Sequence, residues 1–129
     1  AISNQQFIYS LRRMLDPIKE HVDNNFNPLP AEYTKEFAPV RQKINDLMRM
    51  SCEQIETNRY ENYREILAEA DACKDELSVL RKKHIDRIQH LSDNSLMQIS
   101  LVYLNVLQES QEFLSVMRHQ LRAAKKFME

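Results

Sequence analysis

Apolar residues recur along this chain at intervals of three and four, the spacing that gathers side chains on one face of an α-helix. The first such stretch carries Phe7, Leu11, Met14 or Leu15, Ile18 and Val22, and Ser3 with Gln6 has capping-box spacing at its start. Pro17 falls inside it and, lacking an amide proton, should kink the helix or begin a new turn. Across residues 23–30 the periodicity stops, and three asparagines and two prolines favour a turn there. A second helix is expected from Pro30 to Thr57 along Tyr33, Phe37, Val40, Ile44, Leu47 and Ile55, with a bend at Pro39. Asn58 and Glu61 have the spacing of an N-cap and its reciprocal partner, so a third helix should start there and carry Tyr63, Ile66, Ala70, Cys73, Leu77, Leu80, Ile88 and Leu91. Ser95 and Gln98 form a further capping box. After it Leu96, Ile99, Tyr103, Val106, Ser110, Phe113, Met117, Leu121 and Ala124 alternate by three and four to the end of the chain.

A seam sustained over about four heptads needs partner helices, and short connections make consecutive helices neighbours that run in opposite directions. The expected fold class is therefore all-α: an antiparallel up-down bundle of three to four long helices, at about 3–23, 30–57, 59–91 and 95–128. With 129 residues, 43% of them hydrophobic and 29% charged, one domain spanning 1–129 can bury its own core and solvate its exterior. The chain contains no glycine, which removes the phosphate-cradling loops of nucleotide folds and the nucleophile elbow of hydrolases. A formal charge of −1 gives no global field for nucleic acid, so no nucleic-acid partner is expected. No run approaches the ~20 apolar residues of a membrane span. Cys52 and Cys73 lack metal or redox spacing and read as reduced thiols near the core. The first residue is Ala1, which leads us to expect a piece of a larger protein.

Candidate chemistry is sparse. None of His21, His84, His90 and His119 follows a glutamate by three residues, as di-iron bundles require, and His84 falls in the apolar register of the third helix, where a core or boundary role is the expectation. With no nucleophile, base and electrophile that can be grouped, the chain is not expected to be an enzyme. Asp71 and Asp75 lie four apart on one helical face, near Glu69 and Glu76. Two like charges so placed repel unless a cation or a basic neighbour intervenes, which makes the pair a candidate for a hard metal, with Glu109 and Glu112 as further donors. A solvated acidic face explains the same spacing. Basic residues gather at Arg81, Lys82, Lys83 and Arg87 and again at Arg118, His119, Arg122, Lys125 and Lys126, where the last-turn cations complement the helix dipole. Leu101, Val102 and Leu104 stand opposite the main seam, open to self-association or to docking elsewhere, or else widening the buried stripe.

Three pieces in order, Asn24 to Leu29 after the first helix, the Asp71/Asp75 pair, and residues 101–110 (LVYLNVLQES) with the trailing 121–127 (LRAAKKF), make the chain similar to the PhoU-like cytoplasmic domain of bacterial sodium/phosphate cotransporters. The resemblance spans nearly the whole chain and rests on order and spacing. It implies a regulatory or interaction domain on the cytoplasmic side of the inner membrane, partnered by the membrane portion of its own chain and open to self-association. The alternative it implies is a stand-alone phosphate-signalling adaptor holding a divalent or iron/zinc-type metal through Asp71, Asp75 and Glu112. The family's second acidic motif reads Glu-Arg-x-x-Asp, whereas this chain has Gln108 at the first acid and Glu112 at the last, which weakens the case for tight metal binding.

Overall fold

In the computed structural model, residues 4–23 and 29–128 are described, with side chains placed at 5, 6, 8–16 and 29–127. They form four helices: α1 (Asn4–Asp23), α2 (Ala31–Thr57), α3 (Tyr63–Gln89) and α4 (Asn94–Met128). The Ser3 cap, the side chains of Phe7, Pro17, Ile18 and Val22, and the segment 24–28 lie outside the described residues. α1 extends through Pro17 and α2 through Pro39, so neither proline ends its helix.

The chain makes its helix ends without glycine, and two of them differ from the expected ones. Asn58 does not start α3. It follows the last residue of α2 with φ 55° and ψ 27°, the left-handed conformation that ends many helices. Among residues with a Cβ, asparagine is the one most used in that region at helix ends, so it takes the role glycine usually fills. A turn follows, in which the Tyr63 amide donates to the Tyr60 carbonyl, and α3 begins after Asn62 rather than at residue 59. At α4 the cap is Asp93, not Ser95. One carboxylate oxygen of Asp93 accepts from the Ser95 amide at 2.9 Å, the Ser95 hydroxyl at 2.7 Å and the Leu96 amide at 3.5 Å. These amides are the second and third of the helix, two of the donors that no preceding turn can satisfy. The three bonds hold the Asp93 carboxyl below its usual pKa. α2 starts at Ala31, one residue after the expected Pro30, and the Pro30 carbonyl accepts from the amides of Tyr33 and Thr34.

α4 touches each of the other three helices. Its predicted stripe is buried from Tyr103 onward, including Phe113, Met117, Leu121 and Ala124. Val106 and Leu107 are buried side by side, which widens the stripe enough to meet more than one partner. Opposite it lie Phe37 and Ile44 of α2, Ile66 and Leu77 of α3, and Leu11 of α1, all nearly inaccessible to water. Cys52 and Cys73 are buried as free thiols, and burial pushes the Cys73 thiol up to about 11. No described helix is long and apolar enough to cross a membrane.

The α2 cap makes a sharp prediction. Asn58→Gly should leave the urea unfolding midpoint unchanged or raise it, while Asn58→Val should lower stability by about 1–2 kcal/mol, because a β-branched residue resists the left-handed conformation. Equal midpoints for the two variants would show that the α2 end does not hold this geometry in solution.

Candidate functional site

The densest polar chemistry lies where the start of α2, the end of α3 and the start of α4 meet. Tyr33 and Tyr103 stack with ring centres 4.7 Å apart and planes 9° from parallel. His84 stands edge-on to both, at 4.8 and 4.7 Å. The helical spacing that puts Tyr33 and Glu36 three apart on α2, and His84 and Arg87 three apart on α3, turns all four side chains toward this junction.

Each polar atom then needs a partner, because burial without one is costly. The hydroxyls of Tyr33 and Ser100 share a hydrogen bond of 2.8 Å. His84 Nε2 lies 2.7 Å from the Ser100 carbonyl oxygen, which can only accept, so the proton sits on Nε2. The other ring nitrogen, Nδ1, is then a buried acceptor with no hydrogen-bond partner. Burial lowers the His84 pKa, outweighing the bond to Ser100, which favours the charged ring, and the Arg87 guanidinium adds to the lowering.

Around this aromatic core runs a charged clamp. Glu36 accepts from the Tyr103 hydroxyl at 2.8 Å and from Arg87 Nη2 at 2.6 Å, and its second oxygen faces Lys83 Nζ at 3.2 Å. Burial alone would raise the Glu36 pKa, but the bonds from Tyr103, Arg87 and Lys83 prevail and hold the carboxyl below its usual value. Arg87 also reaches Glu32 at 3.1 Å and lies over the Tyr33 ring, 4.7 Å from its centre. Burial and the Glu36 carboxylate push the Tyr103 phenol far up, so it stays protonated and donating. The arrangement ties three helices with charge-assisted bonds. His84 Nε2 is held by the Ser100 carbonyl and Ser100 Oγ by the Tyr33 hydroxyl.

The sequence-derived metal candidates lie elsewhere. Asp71, Asp75 and Glu112 are all exposed. Asp71 Oδ2 pairs with Arg118 Nη2 at 3.1 Å, so the basic neighbour that relieves the like-charge pair is an arginine from α4. Among the described residues no three His, Cys, Asp or Glu side chains are grouped so as to hold an ion. The donor set as placed does not fit a metal centre. Glu109 has one oxygen buried without a hydrogen-bond partner.

Between α3 and α4, Gln111 donates to the Lys74 carbonyl at 3.1 Å and to Ser78 Oγ at 2.8 Å, and accepts from Arg81 Nη1 at 3.1 Å. Arg81, Lys83 and Arg87 of the first basic cluster thus serve as helix-to-helix ties. In the second cluster Arg118 bonds to the Leu67 carbonyl as well as Asp71, and Lys125 lies 5.1 Å from the Tyr63 ring centre. His119, Arg122 and Lys126 are exposed. Of the outward apolar residues, Leu101 is exposed, while Val102 and Leu104 are half-buried.

No family model matches the chain, and comparison with curated proteins and with solved structures gives no match either.

Two predictions follow from the junction. His84 has a folded-state pKa below the 6.5 of an unperturbed histidine, so the unfolded chain binds the proton first as pH falls. Its stabilising contribution is complete above about pH 6.5 and is lost as pH drops through that value toward the lowered one. The urea midpoint of the protein should therefore fall between pH 7 and pH 5 more steeply than that of His84→Gln, with Arg87, Glu32 and Glu36 as the charges facing the ring. Parallel pH profiles would show that His84 does not titrate in this way. Removing the clamp's acceptor by Glu36→Ala should cost about 2–3 kcal/mol, since its side chain is 10% exposed and leaves Arg87 and Tyr103 without their partner. Lys43→Ala, which breaks an exposed pair with Glu76, should barely move the midpoint in the same denaturant series.

Proposed function

We propose that the chain is a PhoU-like regulatory and interaction domain, an antiparallel up-down bundle serving on the cytoplasmic side of a sodium-dependent phosphate transporter. The order of helix-to-helix partners supports the antiparallel reading. Tyr63 near the start of α3 meets Lys125 near the end of α4, and His84 near the end of α3 meets Ser100 near the start of α4. Likewise Glu36 of α2 meets Lys83 and Arg87, while Lys43, further along α2, meets the earlier Glu76.

The observation that carries the functional reading is where the family-like segments fall. Residues 101–110 and 121–127 both belong to α4 and supply Tyr103, Val106, Leu107, Leu121 and Ala124 to the core that the other helices share. The resemblance thus lies in the residues that build the bundle. The polar side chains with most chemical potential are engaged in holding helices together, which leaves the outer faces as the working surface. A domain of this kind acts by contact, on the membrane portion of its own chain or on a second copy.

The complete reading frame tests this. It should encode membrane-spanning segments in addition to these residues, and cells expressing it should take up radiolabelled phosphate in a sodium-dependent way. Deleting residues 31–128 should alter how uptake responds to phosphate supply by at least a few-fold while leaving the dependence on sodium. A reading frame without membrane segments, or an uptake response unchanged by the deletion, overturns the proposal.

A further inference from the structure

The last three turns of α4 carry a surface that the bundle does not use. From Phe113 to Phe127 the sequence has Arg118, His119, Arg122, Lys125 and Lys126 and no acidic residue. Arg118 is turned to Asp71 and Leu67, and Lys125 rests over Tyr63. His119, Arg122 and Lys126, three and four apart, share the outward face, where with Tyr63, Ala123 and Lys125 they line an open hollow of about 520 Å³. Among the described residues neither Arg122 nor Lys126 forms an ion pair, in contrast to Lys43, Lys83, Arg87 and Arg118. Beside them Phe127, the residue after Lys126, is 69% exposed, more than any other large apolar side chain described.

Helix-dipole complementarity accounts for cations in the final turn only, since the effect fades within one turn. Arg122 and His119 lie further back, and the dipole gives no reason for an exposed phenylalanine. Nucleic acid is a poor fit, because the patch offers a single exposed ring and the chain as a whole carries a charge of −1. Arg122 and Lys126, with no ion pair among the described residues and followed in sequence by one exposed aromatic ring, match an anionic lipid interface, where headgroup phosphates take the charges and the ring enters the layer beneath them.

We propose that the C-terminal end of α4 is a docking surface for an anionic phospholipid membrane, with Arg122 and Lys126 facing the phosphates, His119 and Lys125 flanking them, and Phe127 entering the interface. This goes beyond the transporter reading and stands on the surface of α4 alone.

Co-sedimentation of the 129-residue chain with vesicles tests it. At about 0.1 M salt the chain should bind vesicles of equal parts phosphatidylglycerol and phosphatidylcholine and not pure phosphatidylcholine, and binding should weaken as salt is raised. Arg122→Glu with Lys126→Glu should lower the partition coefficient at least about tenfold. Phe127→Ser should lower it several-fold while keeping the salt dependence. The control pair Lys35→Glu with Lys82→Glu changes net charge equally at exposed sites on α2 and α3 and should leave binding within about twofold. Circular dichroism of each variant establishes that it is folded. Equal binding to neutral vesicles, equal weakening by the control pair, or no weakening by the patch pair overturns the proposal. So does binding of inorganic phosphate, measured by calorimetry, without any binding of vesicles, since it would make the hollow a free-anion site.

Discussion

Every helix in this chain has an apolar face that it cannot bury alone, and α4 is the element on which the others resolve that problem. Short helices in water are marginal because few residues share the entropic cost of nucleation, so their stability comes from packing. A narrow seam of one residue per turn serves one partner. α4 instead buries adjacent pairs, Val106 with Leu107 and Phe113 with Leu114, which spreads its apolar surface across a broad arc and reaches α1, α2 and α3 together. Burial of each such side chain contributes ~1.5–3 kcal/mol against a backbone ordering cost of roughly 1–2 kcal/mol per residue. No single helix recovers that cost from its own face, so each depends on a stripe shared with its neighbours.

Polar residues buried in such a core act against it unless their bonds are completed, and the junction of Tyr33, Glu36, His84, Arg87 and Tyr103 completes most of them, leaving His84 Nδ1 and Arg87 Nε without a partner. Desolvation opposes the charge on Glu36, and three donors restore it. Desolvation also opposes a charge on His84, and there no carboxylate takes a bond from the ring, so the histidine is held neutral. Two titratable groups in one junction are thus driven to different states by the number of partners each can reach. The stacked tyrosines join the start of α2 to the start of α4, and the Arg87 fork joins the end of α3 to two carboxylates of α2.

The pattern of three and four made the long helices legible, above all α4, whose stripe is buried in the structure from Tyr103 to Ala124 as the spacing implies. The first turns were less legible, because one residue type serves two ends of a helix. Asn58, followed three residues later by Glu61, satisfies the rule for an N-cap, yet the same asparagine is also the best available left-handed C-cap in a chain with no glycine. Ser95 has the right spacing from Gln98, but Asp93 stands two residues earlier with a charged acceptor, and the serine hydroxyl becomes one of its donors. Of the junction, the apolar registers of Tyr33, His84 and Tyr103 were legible, and the contacts among them were not. Its bonds join residues 67 and 51 positions apart, Tyr103 to Glu36 and Arg87 to Glu36, and periodicity along one helix carries no information about which face of another it will meet. The Asp71/Asp75 spacing invites a cation, and the cation that the structure sets beside Asp71 is the Arg118 guanidinium.

Charge is distributed along this bundle by what lies across from it, not by where it clusters in the sequence. The run Arg81, Lys82, Lys83, Arg87 and the run Arg118, His119, Arg122, Lys125, Lys126 look alike as strings. Structure separates them: three of the first four reach acceptors on a neighbouring helix, and so does Arg118, because those positions flank the buried seam. The outward positions of α4 have no helix opposite them. Where a cation faces a neighbouring helix, a carboxylate or amide on that helix fixes it and it becomes part of the fold. Where the facing element is absent, its field extends into solvent over about a Debye length and is open to whatever anion approaches. The same division separates Phe113, sealed inside the stripe, from Phe127, standing outside it fourteen residues later on one continuous helix.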